Sequence, residues 1–199
     1  KLRVPGPRPG WVSRPRLVEH LRAGLARDLI LVCGPAGFGK SSLLADWVGE
    51  EKRAVAWLSL DEGDNDPVRF WRHVTAALDG VLPGVGERAG TLVGRGGSTS
   101  IRAAVTALVN DLVVAPGEAL LVVDDYHLIQ AAEVHSSLEF LLAQLPLSLR
   151  VVLASRSDPP LPLARLRARG QLAELRAADL RFTRDEAAEL LRAALGHDL

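Results

Sequence analysis

Five short, strongly hydrophobic segments recur along the chain, and longer segments with helical spacing separate them. The five lie at residues 29–33, 54–60, 119–123, 150–155 and 172–175. Short apolar runs of this kind are typical of parallel strands that are buried on both faces of a sheet. Between them, apolar residues recur every three or four positions, as Leu17, Leu21 and Leu25 do before the first segment. This alternation predicts an α/β domain in which helices connect the strands.

The first hydrophobic segment leads directly into a glycine-rich loop. Gly34, Gly39, Lys40 and Ser41 complete the pattern G-x-x-x-x-G-K-[ST], which indicates a phosphate-binding loop. Glycines suit this loop because a triphosphate must approach backbone N–H groups closely. Lys40 would reach the β- and γ-phosphates, Ser41 would bind Mg²⁺, and the helix that follows would point its positive end at the phosphates. The residues expected to surround the phosphates are Gly34, Pro35, Ala36, Gly37, Phe38, Gly39, Lys40, Ser41 and Ser42.

Charged residues follow two other strand segments. Asp124 and Asp125 come after the third segment, and Arg156 comes after the fourth. Ligands of parallel sheets bind at the carboxyl ends of the strands, so we expect these residues to meet the phosphate loop. Asp124 would complete a Mg²⁺ shell with Ser41, Asp125 would polarise the attacking water, and Arg156 would sense the γ-phosphate or pair with Asp125. The sequence leaves open that the acids cap a surface turn and that Arg156 is an ordinary surface arginine.

For the other residues that could bind a metal ion or nucleic acid, a structural role is favoured over a functional one. The acidic loop at residues 61–66 lacks the regular ligand spacing of a calcium loop. His127 and His135 belong to no set with zinc spacing, which favours core or solvent positions. The arginine-rich tract at residues 165–184 has no interleaved aromatic residues, which favours a solvated or domain-contact surface over a nucleic-acid site. Three of the four tryptophans lie on apolar faces, and we expect them in the core.

The chain divides into three predicted regions. Residues 1–12, rich in Pro, Gly and Arg, indicate an extended arm that Trp11 partly orders. Residues 13–180 form the phosphate-loop domain, and residues 181–199 begin a further helical domain that is truncated. Within the main domain, the glycine-rich stretch 80–100 has little that could bury itself, which predicts a mobile loop.

Composition narrows the class of protein. The 199 residues include 24 basic and 24 acidic ones, so the chain has no overall charge bias toward nucleic acid. The single cysteine, Cys33, excludes an intrachain disulfide and suits a reducing cytoplasm, where we expect it as a small buried hydrophobic residue. No segment approaches the roughly 18 apolar residues of a membrane span. The absence of methionine, even at position 1, suggests a piece of a longer protein.

Four longer stretches resemble one protein family. Residues 34–42, 55–71, 121–129 and 153–163 closely resemble the ATPase domain of the large ATP-binding LuxR-type transcriptional regulators, the group of the bacterial maltose-regulon activator. The resemblance covers nearly everything from residue 13 to residue 195. Members of the family often carry Tyr and Thr at the positions of Phe38 and Ser41, a difference that keeps bulk and hydroxyl.

The resemblance implies a fold and a mechanism. It implies a three-layer P-loop NTPase of the STAND branch, the apoptotic-ATPase-like proteins, and we expect a five-stranded parallel sheet in the order 5-1-4-3-2. It further implies that exchange and slow Mg²⁺-dependent hydrolysis of ATP to ADP switch the protein between a resting form and an assembled form. Lys40 and Ser41 would bind phosphate and Mg²⁺, Asp124 would be the Walker B acid, Arg156 would be the sensor arginine, and Arg14 would lie near the adenine.

The resemblance also bears on partners. The helical lid, sensor repeats and DNA-reading helix-turn-helix of such regulators have no counterpart in these residues, so we expect inducer and DNA binding elsewhere in the protein. Nucleotide-dependent self-association is expected. Three rival functions remain: a nucleotide-holding module without turnover, a small-molecule kinase that uses the same loop, and a stand-alone nucleic-acid binder.

Overall fold

A computed structural model of the chain describes residues 1–6, 12–95 and 97–195. Strands β1–β5 span Leu29–Cys33, Ala54–Ser59, Ala119–Asp124, Leu149–Ser155 and Leu172–Leu175. Helices α1–α8 span Pro15–Gly24, Lys40–Gly49, Pro67–Asp79, Glu87–Val93, Ser98–Val114, Ala132–Leu142, Leu163–Ala168 and Arg184–Leu195. All five predicted strands are confirmed, and each predicted boundary differs from the observed one by at most one residue.

The five strands form one parallel sheet in the order β2-β3-β4-β1-β5. The predicted order 5-1-4-3-2 is the same order read from the other edge, and it is confirmed. In the register of the central strands, Leu29 of β1 aligns with Val151 of β4, and Cys33 aligns with Ser155. Because all strands run the same way, the loops that follow β1, β3 and β4 emerge side by side at one edge of the sheet.

Two hydrophobic cores lie on opposite faces of this sheet. Leu29 and Leu31 of β1 point into the first core, and Ile30 and Val32 point into the second. Helices α3–α7 cover the first core, and α1 and α2 cover the second. This arrangement explains why β1 and β3 are apolar at nearly every position, since alternate side chains are buried against opposite helical layers. Trp47, Trp57 and Trp71 are buried in these cores, as predicted.

The single cysteine also lies in the first core. Cys33 is buried at the end of β1, and burial raises the pKa of its thiol. A thiol with a raised pKa is a poor nucleophile, which agrees with its predicted role as a small hydrophobic residue.

The glycine-rich stretch 80–100 differs from the prediction. Helix α4 forms inside it, and Ala89 and Val93 of that helix are completely buried in the first core. The expectation that little of this stretch could bury itself is therefore wrong. Gly86, in the left-handed conformation at φ 98°, starts the helix, and tertiary packing stabilises a sequence of low helix propensity.

The two ends of the chain are described in part. Of the predicted arm, the Lys1 carbonyl accepts a hydrogen bond of 3.1 Å from the Ser59 N–H at the end of β2. At the other end, Thr183 and Glu186 form reciprocal hydrogen bonds of 2.9 and 3.2 Å that begin α8. Trp11 and residues 196–199 lie outside the described residues, and the predicted domain boundaries stay predictions. No helix in the described ranges combines the length and hydrophobicity that a bilayer crossing requires.

Candidate functional site

The loop between β1 and α2 has glycines for two different reasons. Gly37 and Gly39 have φ values of 81° and 73°, in the left-handed region that favours glycine. A Cβ atom added to either would have no neighbouring atom within 4 Å, so the space beside the loop is open. At Gly34, by contrast, an added Cβ would lie 2.9 Å from Cδ1 of Leu180. The loop therefore packs closely on its protein side and leaves its other side free.

Lys40 is the first residue of α2 and lies against the loop. Its side-chain Nζ donates hydrogen bonds to the carbonyls of Gly34 at 2.7 Å and Pro35 at 2.9 Å. Burial lowers the pKa of Lys40, and the charge of Asp124 opposes that shift. The ammonium group is thus partly desolvated and held at the mouth of the loop.

Asp124 ends β3 and is only 3% exposed. Its Oδ1 accepts a hydrogen bond of 2.9 Å from the Asp125 N–H. Burial raises the pKa of Asp124, a hydrogen bond from Ser41 partly opposes this, and the Asp125 charge adds to it. Among the ion pairs of the described residues, none involves Asp124. A buried carboxylate that belongs to no described ion pair and lies next to a serine hydroxyl has the chemistry of a Mg²⁺ site.

The metal would need further ligands. Within the described part of the chain, no group of three or more His, Cys, Asp or Glu side chains is arranged to hold a metal ion. Mg²⁺ is commonly bound through one or two protein oxygens together with the phosphates of a substrate. The pair Ser41 and Asp124 fits that mode.

Asp125 has an unusual backbone. With φ 58° and ψ 34°, it is the one non-glycine residue in the described ranges with a positive φ. The next residue, Tyr126, turns into the core, where its hydroxyl lies 2.8 Å from Nδ1 of His135. The Asp125 side chain stays 42% exposed, and its Oδ1 lies 3.9 Å from Nδ1 of His127. A left-handed backbone is strained at a non-glycine residue, and such strain is frequent at functional sites. Here it allows the Tyr126 side chain to be buried while the neighbouring Asp125 carboxylate stays accessible.

The structure brings most of the predicted residues together around one cavity of about 470 Å³. This volume lies within the range of roughly 300–1,000 Å³ that is typical of small-molecule sites. The predicted residues that line it are Ala36, Gly37, Gly39, Lys40, Ser41, Ser42, Asp124, Asp125 and Arg156. Residues that follow β1, β3 and β4 therefore meet at one edge of the sheet, as the topology requires.

Four predicted residues do not line this cavity. Gly34 and Pro35 contribute backbone carbonyls that hold Lys40, and Phe38 packs against the second core. Arg14 is 4% exposed, and its Nη2 donates hydrogen bonds of 2.9 Å to the carbonyls of Leu180 and Arg181. A role of Arg14 in adenine binding stays a prediction.

Three residues that sequence reasoning missed also line the cavity: Pro5, Gly6 and Ser59. Ser59 is the last residue of β2, so the predicted topology could have placed it at the same edge. Pro5 and Gly6 belong to the arm, and no local pattern connects them with the phosphate loop.

The acidic loop after β2 forms a short 3-10 helix at Glu62–Asn65, and two of its acids, Asp61 and Asp64, pair with basic side chains of the protein. The side chain of Asp64 is completely buried, and its carboxylate lies 2.6 Å from Nζ of Lys1, 2.9 Å from Nδ1 of His73 and 3.5 Å from Nε of Arg69. Basic side chains thus surround the carboxylate where a metal ion would have to bind. This arrangement supports the structural explanation of the loop.

Several arginines of the predicted basic tract are paired with carboxylates. Arg165 lies 2.8 Å from Glu139, and Arg167 lies 2.8 Å from Glu174. Arg176 pairs with Glu174 and Asp158. Because acidic neighbours offset these charges, the three arginines offer little to a nucleic-acid backbone.

Comparison with known proteins gives three findings. The family model described as "AAA domain" matches residues 24–161. The serine/threonine-protein kinase PknK of Mycobacterium tuberculosis is 38% identical over 199 residues, which cover 98% of this chain and 18% of PknK. The HTH-type transcriptional regulator MalT of Vibrio cholerae is 32% identical over 186 residues, which cover 94% of this chain and 20% of MalT.

Among solved structures, a RuvB variant of Thermotoga maritima is similar with a TM-score of 0.48 and 19% identity, covering 93% of this chain and 51% of that one. The chain spans about a fifth of the length of the curated relatives it matches.

Proposed function

Because the chain belongs to the AAA domain family, we propose that it binds ATP or ADP with Mg²⁺ and acts as the nucleotide switch of a LuxR-type transcriptional regulator. One observation carries this proposal. A single cavity is lined by the open side of the phosphate loop, by Lys40 and Ser41, and by the carboxylates of Asp124 and Asp125. A nucleoside triphosphate and its metal ion need these groups together in one site.

Phosphate binding follows from the loop and the helix behind it. The N–H groups of the loop and of the first turn of α2 would donate to the phosphate oxygens, where the helix dipole favours negative charge. Lys40 now donates to two neutral carbonyls of the loop. A phosphate oxygen is the stronger acceptor because it is charged, so the ammonium group would turn toward it.

Ser41 and Asp124 would hold the metal ion. The Asp124 carboxylate is buried and belongs to no ion pair of the described residues, so binding of a cation beside it would be favourable. Bound Mg²⁺ would neutralise the charge on the β- and γ-phosphate oxygens. The two side chains would thereby fix the triphosphate along the edge of the sheet.

Two residues would take part in the hydrolysis of ATP to ADP and phosphate. The Asp125 carboxylate, partly exposed in the cavity, would orient the attacking water. The Arg156 side chain, on the neighbouring strand end, would contact the charge that develops on the γ-phosphate. Both side chains are accessible, which a reacting water and a mobile phosphate require.

The regulatory part of the proposal draws on the relatives. One is named a transcriptional regulator and another a protein kinase, and each is about five times as long as this chain. A segment shared by proteins with different outputs is well suited to a control function that serves both. The partners of the switch would be the other domains of the same protein and, in one nucleotide state, further copies of it.

Nucleotide affinity tests the site. We expect Lys40→Ala to weaken ATP binding at least about 100-fold, which corresponds to about 2.7 kcal/mol. Lys52→Ala is the matched control, since Lys52 is exposed and lies outside the cavity. Titration of ATP and ADP with and without Mg²⁺ measures both variants. Equal affinity of the Lys40 variant and the wild type would contradict the placement of the phosphates.

Turnover tests the reaction. Asp125→Asn should keep nucleotide affinity and lower the rate of phosphate release about 10- to 100-fold. If wild type and variant both hydrolyse ATP at the background rate, the chain holds nucleotide without turnover. Transfer of phosphate to a metabolite instead of water would identify a kinase.

A further inference from the structure

Asn65, at the end of the acidic loop, connects two loops that follow different strands. Its Nδ2 donates hydrogen bonds of 2.9 Å to the carbonyls of Glu62 and Leu128. Its Oδ1 accepts hydrogen bonds from the N–H groups of Gln130 at 2.6 Å and Ala131 at 2.9 Å. One side chain thus fastens the loop after β2 to the chain that follows the two acids of β3.

This bonding pattern requires a carboxamide. The Asn65 side chain has two N–H donors and two acceptor lone pairs, and all four are used. An aspartate of the same shape would lose both donors and would place a charged oxygen against the carbonyls of Glu62 and Leu128. The position therefore depends on chemistry and not merely on size.

The bond to Leu128 leads directly to Asp125. The Leu128 N–H donates to the Asp125 carbonyl at 3.0 Å, and the Ile129 N–H donates to the Tyr126 carbonyl at 3.1 Å. These bonds close a short 3-10 turn that begins at Asp125, and Asn65 holds the far end of that turn. The left-handed backbone of Asp125 is costly for a non-glycine residue, so it requires such fixed surroundings.

Asp64, which precedes Asn65, anchors the backbone at this position. Asp64 is completely buried and contacts Lys1 and His73, and its Oδ2 also accepts a 2.9 Å hydrogen bond from the Asp61 N–H. The backbone from which the Asn65 side chain projects is therefore tied to the body of the domain. A group that positions another residue needs such support, because small displacements propagate to the reacting atoms.

We propose that Asn65 is a positioning residue whose carboxamide fixes the turn after Asp125 and so sets the direction of the Asp125 carboxylate in the nucleotide cavity. The inference rests on the proposed ATPase function and adds a residue outside the cavity to it. The acidic loop, in which Asp61 and Asp64 are paired with basic side chains, thereby acquires a role in the reaction.

Asn65→Asp is the principal test because it changes two donors and a charge without changing shape. We expect kcat for ATP hydrolysis to fall about 10- to 100-fold, while the Kd for ATP measured by titration changes less than about twofold. Asn110→Asp is the matched control: it makes the same chemical change at the chain's other asparagine, which is exposed on α5. A wild-type kcat in the Asn65 variant, in a chain that does hydrolyse ATP, would overturn the inference.

Hydrogen exchange tests the positioning without relying on turnover. Asn65→Ala removes the acceptor of the Gln130 and Ala131 N–H groups, so their exchange should become faster while the core strands stay protected. Unchanged exchange at both amides would overturn the inference, whatever the rates of hydrolysis. Faster exchange together with a wild-type chain that turns over no ATP would keep the positioning of the turn and reject the proposed ATPase.

Discussion

Two aspartates, Asp64 and Asp124, are buried at the same edge of the sheet in opposite electrostatic surroundings. Asp64 follows β2 and is 0% exposed; Asp124 ends the neighbouring strand β3 and is 3% exposed. Although burial alone would raise it, the pKa of Asp64 is lowered, because Lys1, the Asp61 N–H and His73 donate to the carboxylate. For Asp124, burial dominates and the pKa is raised.

The difference separates a structural carboxylate from a binding one. Burial of a charge is expensive unless a partner compensates it. The protein supplies the partners of Asp64 from its own arm and from α3. Among the described residues no cation forms an ion pair with Asp124, and the charge of Lys40 offsets the cost of its burial only in part, so a metal ion would supply the missing compensation. A buried charge that the protein does not fully compensate is thus a stronger sign of a ligand site than a cluster of acidic residues in the sequence.

The largest expected effect is the loss of stability in Asp64→Asn. The change removes the charge that Lys1, Arg69 and His73 face, and breaking a buried pair typically costs about 3–5 kcal/mol. Because these partners are partly exposed to solvent, we expect a smaller cost of about 2–3 kcal/mol. This corresponds to a decrease of about 4–12 °C in Tm, measured by thermal unfolding without nucleotide. An unchanged Tm would show that Asp64 is not stabilised by its neighbours.

The same substitution in Asp124 should act in the opposite direction. Asp124→Asn removes a buried charge whose burial cost the charge of Lys40 offsets only in part, so the Tm of the nucleotide-free chain should stay constant or increase. The benefit of Mg²⁺ for ATP affinity should fall about 10-fold or more, corresponding to about 1.4 kcal/mol. Titration of ATP at several Mg²⁺ concentrations measures this loss. A variant that is destabilised and keeps its Mg²⁺ dependence would place Asp124 in the structural class with Asp64.

The sequence predicted the sheet well because its signals are local. Apolar runs identified every strand, and the loop from Gly34 to Ser41 identified the phosphate end of the site. The residues after β3 and β4 could be added because a parallel sheet brings its strand ends together. These inferences need only the order of the segments and the direction of the strands.

What the sequence could not predict depends on contacts between distant residues. The compensation of Asp64 by Lys1 spans 63 positions, and the hydrogen bond from Asn65 to Leu128 spans 63 as well. Helix α4 was missed because its stability comes from burial of Ala89 and Val93 and not from its glycine-rich sequence. Such pairings leave no periodic pattern in the chain.

One glycine of the phosphate loop, Gly37, and one of the acidic loop, Gly63, allow a third comparison with a smaller expected effect. A Cβ at Gly37 would point into open space beside the phosphate loop, although φ is 81°; a Cβ at Gly63 would lie 2.4 Å from Nη1 of Arg69. Gly37→Ala should therefore cost about 1–2 kcal/mol through its left-handed backbone and also weaken ATP binding. Gly63→Ala should displace the flexible Arg69 side chain and leave ATP affinity unchanged. Thermal unfolding and ATP titration of both variants measure the contrast, and equal ATP affinities would contradict it.

The smallest expected effect is a difference in pH dependence between the two aspartates. A lowered pKa in the folded chain means that the stability from Asp64 is present above the unfolded pKa of about 3.9 and is lost as pH falls through the folded pKa. For Asp124 the folded pKa is raised, so ionisation costs stability at neutral pH and acidification through that pKa removes the cost.

Melting curves of wild type, Asp64→Asn and Asp124→Asn from pH 7 downward should separate these two effects. The difference between Asp124→Asn and wild type should be largest near pH 7 and should disappear as Asp124 becomes protonated. The difference between wild type and Asp64→Asn should persist to lower pH, because Asp64 keeps its charge longer. If the two differences disappeared at the same pH, the carboxylates would share one environment, and the distinction between a compensated and an uncompensated charge would fail at this edge of the sheet.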